Sequence, residues 1–312
     1  MNDVLMLVTN ETATFYRHQI DALERLGMNC DTVAVPNTDR EARSVSHYVR
    51  FYGAALRQSL SDYDVVHANY GLTAPAALAQ RQRPVVLSLW GSDLLGSYGK
   101  LSSWCANRCD EVIVMSEQMA GELDRDAHVI PHGVDTELFS PGSQARARDE
   151  LGWDQTSRVV LFPYDPNRPI KDFERARSVV DEVARRLDGT VQLRTVSGVD
   201  HEEVPRYMNA ADVMVLTSRR EGSPNTVKEA LACDCPVVST DVGDVSEYVD
   251  DLRYSGVCAD DGELVDRLAA TLRAAPVSEG REQVAHLGLS EMARNIVSVY
   301  RTAGARGVQV DG

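Results

Sequence analysis

Residues 209–247 read NAADVMVLTSRREGSPNTVKEALACDCPVVSTDVGDVSE: a short apolar run, a polar loop, a helical stretch and a second apolar run. DVMVLT (212–217) and PVVST (236–240) have the length of buried strands, and Ser223 followed by Pro224 is the pair expected at a helix N-cap and first helical position. Strand, helix and strand at this spacing predict a βαβ unit, with the strands parallel and the helix covering the sheet.

The alternation continues outward in both directions. In the first half, strands are expected at VLMLVT (4–9), CDTVAV (30–35), DVVHA (64–68), PVVLSL (84–89), EVIVMS (111–116) and HVI (128–130). In the second half they are expected at RVVLF (158–162), VQLRTV (191–196), DVMVLT, PVVST and YSGVC (254–258). Between two of these, KDFERARSVVDEVARRL places Phe173, Ala176, Val180, Val183 and Leu187 on one helical face. PHGVDTELFSPGS (131–143) has two glycines, two prolines and no periodicity, so it reads as a connection between domains.

The fold class expected is α/β, with two Rossmann-like domains facing each other across a cleft. The first domain spans 1–140 and the second 141–283; a C-terminal helix at 284–305 folds back on the first, and 306–312 form a frayed tail. Open parallel sheets bind ligands outside the carboxyl ends of their strands, which puts the expected site in that cleft.

Composition narrows the function. The 312 residues carry 32 basic and 47 acidic side chains, a net charge of −15; a field of that sign repels phosphates, so nucleic acid is not expected as a partner. Only Lys100, Lys171 and Lys228 are lysines, so nearly all the basic residues are arginine. That bias fits a salt-adapted, halophilic cytosol, with the arginine codons of a GC-rich genome as the alternative. Cysteines 30, 105, 109, 233, 235 and 258 match neither a zinc spacing nor a disulfide framework, so buried reduced thiols, no metal and a cytoplasmic location are expected. MNDVLMLVTN reads as a strand and not a signal peptide. No apolar run approaches the ~20 residues of a membrane span, which leaves peripheral contact at the inner face of a membrane as the only membrane association expected.

The chemistry concentrates after DVMVLT. Amides at the start of the helix, from Asn225 and Thr226 onward, would face an anion such as a diphosphate. Glu221 lies in the loop before the helix and Glu229 inside it; a carboxylate on the helix can accept both hydroxyls of a ribose, and one in the loop can reach a sugar beyond the diphosphate. Two such glutamates also suit a capping device with a solvated face.

The block quoted above resembles the signature of the retaining GT-B glycosyltransferases of family four (glycosyl transferases group 1): two glutamates separated by seven residues, then PVV, a TDVG turn and Glu. DVVHANYGLTAPAALA, PVVLSLWGSDLLG and IPHGVDTELFSP match further segments of that family in order. The resemblance implies a hexosyltransferase that takes a nucleotide-sugar donor as co-substrate, has no other cofactor and acts on a sugar or lipid-linked acceptor in glycan biosynthesis. Glu229 would bind the ribose, Glu221 would lie near the transferred sugar, and Gly222, Ser223, Pro224, Asn225 and Thr226 would complete the donor site. Lys171 in LFPYDPNRPIKDF stands where the family has its diphosphate lysine. The family's Gly-Arg turn is missing, and Arg168 is expected to supply that charge from a shifted position. Lys228 also falls in this expected donor site.

In SLWGSDLLG, Trp90 replaces the family's histidine beside the transferred sugar. Trp cannot act as an acid or base, so either the backbone around Gly91 or another group such as His67 takes that role, with a structural His67 as the alternative. Acceptor contacts in the first loop fall to Thr12, Arg17 or His18. No GxGxxG follows a strand, which disfavours nicotinamide chemistry. The rival functions are a noncatalytic nucleotide-sugar-binding subunit and a GT-B sugar phosphorylase or epimerase.

Finally, EARSVSHYVRFYGAALRQSL (41–60) reads as a helix with Arg43, Arg50 and Arg57 on one face and Val45, Tyr48, Tyr52, Ala55 and Leu56 as the buried stripe. No acidic residue falls between Glu41 and Asp62. The arginine face suits an anionic acceptor or membrane surface, with plain solvation as the alternative.

Overall fold

The computed structural model describes residues 2–36, 43–80, 82–274 and 279–305. The chain divides into two units, residues 1–133 with 289–312, and residues 134–288. In the first, β1 (Asp3–Val8), α1 (Thr14–Arg25), β2 (Asn29–Ala34), α2 (Val45–Gln58), β3 (Val65–Asn69), α3 (Ala74–Ala79), β4 (Val85–Ser88), α4 (Gly99–Ala106), β5 (Glu111–Val114), α5 (Glu117–Gly121) and β6 (His128–Val129) follow one another. Their strands form one parallel sheet in the order β2-β1-β3-β4-β5-β6. The second unit runs α6 (Gln144–Leu151), β7 (Arg158–Phe162), a 3-10 turn (Pro169–Lys171), α7 (Phe173–Arg186), β8 (Val191–Thr195), α8 (Val204–Ala210), β9 (Val213–Leu216), α9 (Asn225–Ala232), β10 (Val237–Thr240), α10 (Val245–Val249), β11 (Gly256–Cys258), α11 (Asp261–Ala274) and α12 (Gly280–Val284). Its sheet is also parallel, in the order β11-β10-β9-β7-β8. The last helix, α13 (Leu289–Thr302), packs on α1 of the first unit.

Position in the sheet explains composition. The inner strands β1 and β3 are buried from Val4 to Val8 and from Val65 to Asn69. Edge strand β2 has no fully buried residue and carries Asn29 and Asp31. Every strand expected from the sequence is present with its ends within about two residues, since a strand buried on both faces is a continuous apolar run.

The unit boundaries differ from the expected 140 and 283. The Val134 amide donates to the Leu287 carbonyl at 2.8 Å, and Val134 and Gly288 form a parallel bridge, so the chain enters and leaves the second unit side by side. Phe139 is fully buried in the second core. Arg281 fixes the entering segment by donating to the carbonyls of Thr136 (2.8 Å) and Phe139 (2.9 Å). The expected frayed tail, 306–312, and Glu41 lie outside the described residues.

The helix expected over 41–60 is shorter and turned. Ser44 donates its amide to His47 Nδ1 at 3.0 Å and α2 starts at Val45, so Arg43 stands outside it and donates from Nη2 to the Thr9 carbonyl at 2.6 Å. The arginine heptad is therefore reduced to Arg50 and Arg57. Phe51 and Ala55 are the residues buried in the helix. Val45 and Leu56 lie about 120° and 140° around the helix from Phe51, so burying Phe51 turns them outward, to 80% and 41% exposure.

Candidate functional site

In the second unit, two loops at carboxyl ends of neighbouring strands bring the acidic and basic residues together: the one after β7 and the one after β9. The first ends in the 3-10 turn and in Asp172, which has a φ of 53°. This turn drives Lys171 inward. Its Nζ lies 2.5 Å from Glu221 Oε1 and 3.6 Å from the centroid of the Tyr164 ring. The Tyr164 hydroxyl bonds Thr226 Oγ1 in the first turn of α9, so the two loops are joined twice. Arg219 joins them a third time, through its Nε to Asp172 Oδ2 at 2.9 Å.

Burial lowers the pKa of Lys171; the Glu221 carboxylate opposes this and Arg168 adds to it. The pair lies in a partly dry site, with the lysine 6% and the glutamate 15% exposed at the side chain, and so forms a strong local dipole. Arg168 is exposed at the start of the 3-10 turn, one turn from Lys171, where its guanidinium can reach a bound anion.

Glu229 lies within α9, nearly buried, with His201 Nε2 3.6 Å from its Oε1. Burial raises its pKa to about 7, against the pull of Lys228. Two sequence expectations fail here. Pro224, not Ser223, occupies the cap position of α9, and Ser223 Oγ instead accepts from Lys228 Nζ at 3.1 Å. Lys228 is fully buried and does not face the site; it lies beneath the Glu221–Pro224 loop, its pKa lowered by burial to about 8 and supported by Asp244. A buried ammonium needs acceptors, and Ser223 is drawn from capping to supply one. Asp244 in turn accepts from Tyr248 at 2.6 Å. Gly243, with a φ of 59°, closes this support: a Cβ there would lie 2.5 Å from the Gly222 carbonyl oxygen. Tyr164 and His201 were not singled out by the sequence, because only the fold brings them to the two glutamates, and Asp244 was not, because only the fold brings it to Lys228.

The first unit has a cavity of about 430 Å³ at the carboxyl ends of β1, β3 and β4, lined in part by Asn10, Arg43, Asn69, Tyr70, Trp90 and Tyr98. Trp90 packs on Phe15 with centroids 4.5 Å apart, and its buried Nε1 has no hydrogen-bond partner among the described residues. Gly91, with a φ of 119°, turns the chain beneath it. Fully buried Asp93 organises this region by accepting from the amides of Gly71, Trp90 and Gly91 at 2.9–3.0 Å. These amides oppose the desolvation that raises its pKa.

Of the two roles the sequence leaves open for His67, the structure gives it the structural one. His67 is buried in β3 between Tyr300 Oη (2.7 Å) and Ser88 Oγ (2.8 Å), and burial lowers its pKa to about 3. It is a neutral structural histidine joining α13 to the sheet. Arg17 is exposed on α1 and does not line the cavity. Thr12 bonds Asn10 Oδ1 and His18 stacks on His132, so neither side chain is committed to the cavity wall. Among the described residues no three metal-ligating side chains converge.

Two family models match the chain: Glycosyltransferase Family 4 over residues 6–138 and Glycosyl transferases group 1 over residues 171–275. D-inositol 3-phosphate glycosyltransferase 1 of Catenulispora acidiphila is 25% identical over 89% of this chain and 83% of its own length. Sucrose-phosphate synthase of Thermosynechococcus elongatus superposes with a TM-score of 0.76 at 18% identity, covering 96% of this chain and 98% of its own. Anabaena HepE, in complex with UDP and glucose, superposes with a TM-score of 0.72 at 16% identity, over 97% of this chain and all (100%) of its own. The fold is that of the GT-B glycosyltransferases.

Proposed function

We propose, from the premise that the chain belongs to the family 4 glycosyltransferases (glycosyl transferases group 1), that it moves a hexose from a nucleotide sugar to an acceptor hydroxyl with retention and without a metal. The observation that carries this reading is the Lys171–Glu221 pair at the start of α9, with Glu229 farther along the same helix. A diphosphate at the first turn of α9 would be met by helix amides, by Lys171 and by the exposed Arg168. Glu229 would take the ribose hydroxyls and Glu221 the transferred sugar.

In the reaction, the bond from the anomeric carbon to the phosphate oxygen breaks and its electron pair goes to the nucleoside diphosphate. The acceptor oxygen bonds the anomeric carbon on the same face, and its proton passes to the departing phosphate oxygen. Charge builds on that oxygen, so Arg168, Lys171 and the amides of α9 act where the transition state differs from the bound donor. The Asp93-ordered cavity beside Trp90 is our candidate for the acceptor. The six cysteines are unpaired in the structure and five of them are buried, which fits the cytoplasmic setting we propose.

UDP-glucose is the first donor to try, with a panel of other nucleotide sugars screened by thermal shift, since a bound ligand raises the melting temperature. A matched donor should be hydrolysed slowly without acceptor and consumed faster with one. Lys171→Ala and Arg168→Ala should each lower turnover at least tenfold, about 1.4 kcal/mol of lost leaving-group stabilisation. Full activity in both variants would remove these residues from the reaction. Donor binding with no turnover would favour the noncatalytic subunit, which Trp90 at the family's histidine position makes the rival to exclude; release of sugar 1-phosphate would identify a phosphorylase.

A further inference from the structure

Among the described residues, eight large hydrophobic side chains are exposed, and all but Val199 lie on α2, α4 or the residues flanking them. Val45 (80% exposed), Val49 (64%) and Leu56 (41%) fall within about 40° of arc on α2, and Leu60 (75%) follows its end. Tyr98 (43%), Leu101 (38%) and Trp104 (50%) belong to α4 and its start. The chain crosses the sheet in one direction from β2 to β6, so right-handed connections put α2, α3, α4 and the short α5 on the same side, with α3 packed against both α2 and α4. The exposed apolar groups thus share one layer of the first unit.

The charge of α2, α3 and α4 is opposite to that of the molecule. The three helices contain no Asp or Glu, in a chain with 47 of them, and they carry Arg50, Arg57 and Lys100. Arg108, just past α4, holds its guanidinium 3.9 Å above the centroid of Trp104. Carboxylates border these helices at Asp62, paired with Arg83 at 2.5 Å, at exposed Asp110 two residues past Arg108, at Glu117 in the first turn of α5, and at Glu122, which lines a hollow with Lys100 and Trp104.

We propose that the α2–α4 face of the first unit docks on an anionic lipid surface. The valines, leucines and Trp104 enter the boundary between headgroups and acyl chains, and the four cations meet lipid phosphates. A second copy of the chain is a poorer occupant, because pairing this face with itself would bring like charges together. No helix among the described residues is long and apolar enough to cross a membrane, so the contact is from one side. The proposal does not depend on the transferase reading, although it would bring the enzyme to a lipid-linked acceptor.

Flotation of the full chain with phosphatidylglycerol and phosphatidylcholine vesicles tests it without donor or acceptor, so failure here leaves the transferase reading intact. Binding is expected to the anionic vesicles only, to weaken as NaCl rises, and to shift Trp emission to the blue in the native chain but not in Trp104→Phe. Arg50→Gln with Arg57→Gln should weaken binding about 25-fold at low salt, about fivefold per cation. Val49→Ser with Leu56→Ser should weaken it at least tenfold. If that pair proves unstable, the arginine pair and the emission shift decide. Equal binding to both vesicles, no binding to either, or binding indifferent to the arginine substitutions would overturn the proposal. So would a concentration-dependent dimer that Val49→Ser with Leu56→Ser abolishes.

Discussion

Glu229 is held where its charge is least welcome. Its folded pKa of about 7 is above the ordinary 4.5, so the folded state keeps the proton more tightly than the unfolded chain. The stability this carboxyl contributes is complete below about pH 4.5 and lost as pH rises through 7, on the order of 3 kcal/mol over that window. Glu229→Gln is therefore expected to melt higher than the native protein at pH 8, with a much smaller difference at pH 5, and at the same time to bind nucleoside diphosphate more weakly. A residue kept only for packing would not lose affinity as it gained stability. Melting at the two pH values with calorimetric titration decides this: a glutamine variant no more stable at pH 8, or one with native affinity, would dismiss the assignment. Both glutamates were legible from their spacing and the family pattern. The direction of Lys228 was not, because periodicity says that a position is helical but not that a lysine will fill a core position on that helix. Its acceptor Ser223 and the Asp244 carboxylate whose charge supports it lie on either side of it in sequence.

At the scale of elements, the strands were legible because a doubly covered parallel strand is written in a single apolar run. The orientation of α2 was not, since its sequence offers two apolar arcs and only Phe51 packing on the sheet selects between them. A structural role for His67 was one of two open readings, but its partner was hidden: Tyr300 is 233 residues away in sequence. That bond predicts how α13 is held. Tyr300→Phe removes the hydroxyl from a fully buried site and leaves a neutral imidazole nitrogen unpaired, which should cost about 1–3 kcal/mol. At this chain length the melting temperature would fall by roughly 1.5 °C for each kcal/mol. An unchanged melting curve would mean that α13 is held by its apolar face alone, through Ile296, Val297 and their neighbours.

For the whole molecule, the net charge of −15 sets two electrostatic effects against each other when salt is added. Paired charges lose attraction: the surface pairs Arg175–Asp261 and Arg186–Asp266, for example, have carboxylates 61% and 77% exposed. Such pairs are each worth about 0–1 kcal/mol, so screening them removes little. The unbalanced carboxylates gain, because the repulsion among them acts over about 10 Å at 0.1 M salt and only about 3 Å at 1 M. The buried pairs, Lys171 with Glu221 and Arg148 with Asp212, are shielded from mobile ions and enter neither side. The repulsive term therefore wins, and the melting temperature should rise between 0.1 and 1 M KCl. Sucrose at matched osmotic strength controls for general exclusion from the surface, since it strengthens burial without screening charge. A larger rise in KCl than in sucrose is the expected result and the one a salt-adapted surface requires. A melting temperature that is flat or falls in KCl would show that the excess carboxylates are too far apart to repel, and would leave the predominance of arginine over lysine to codon usage.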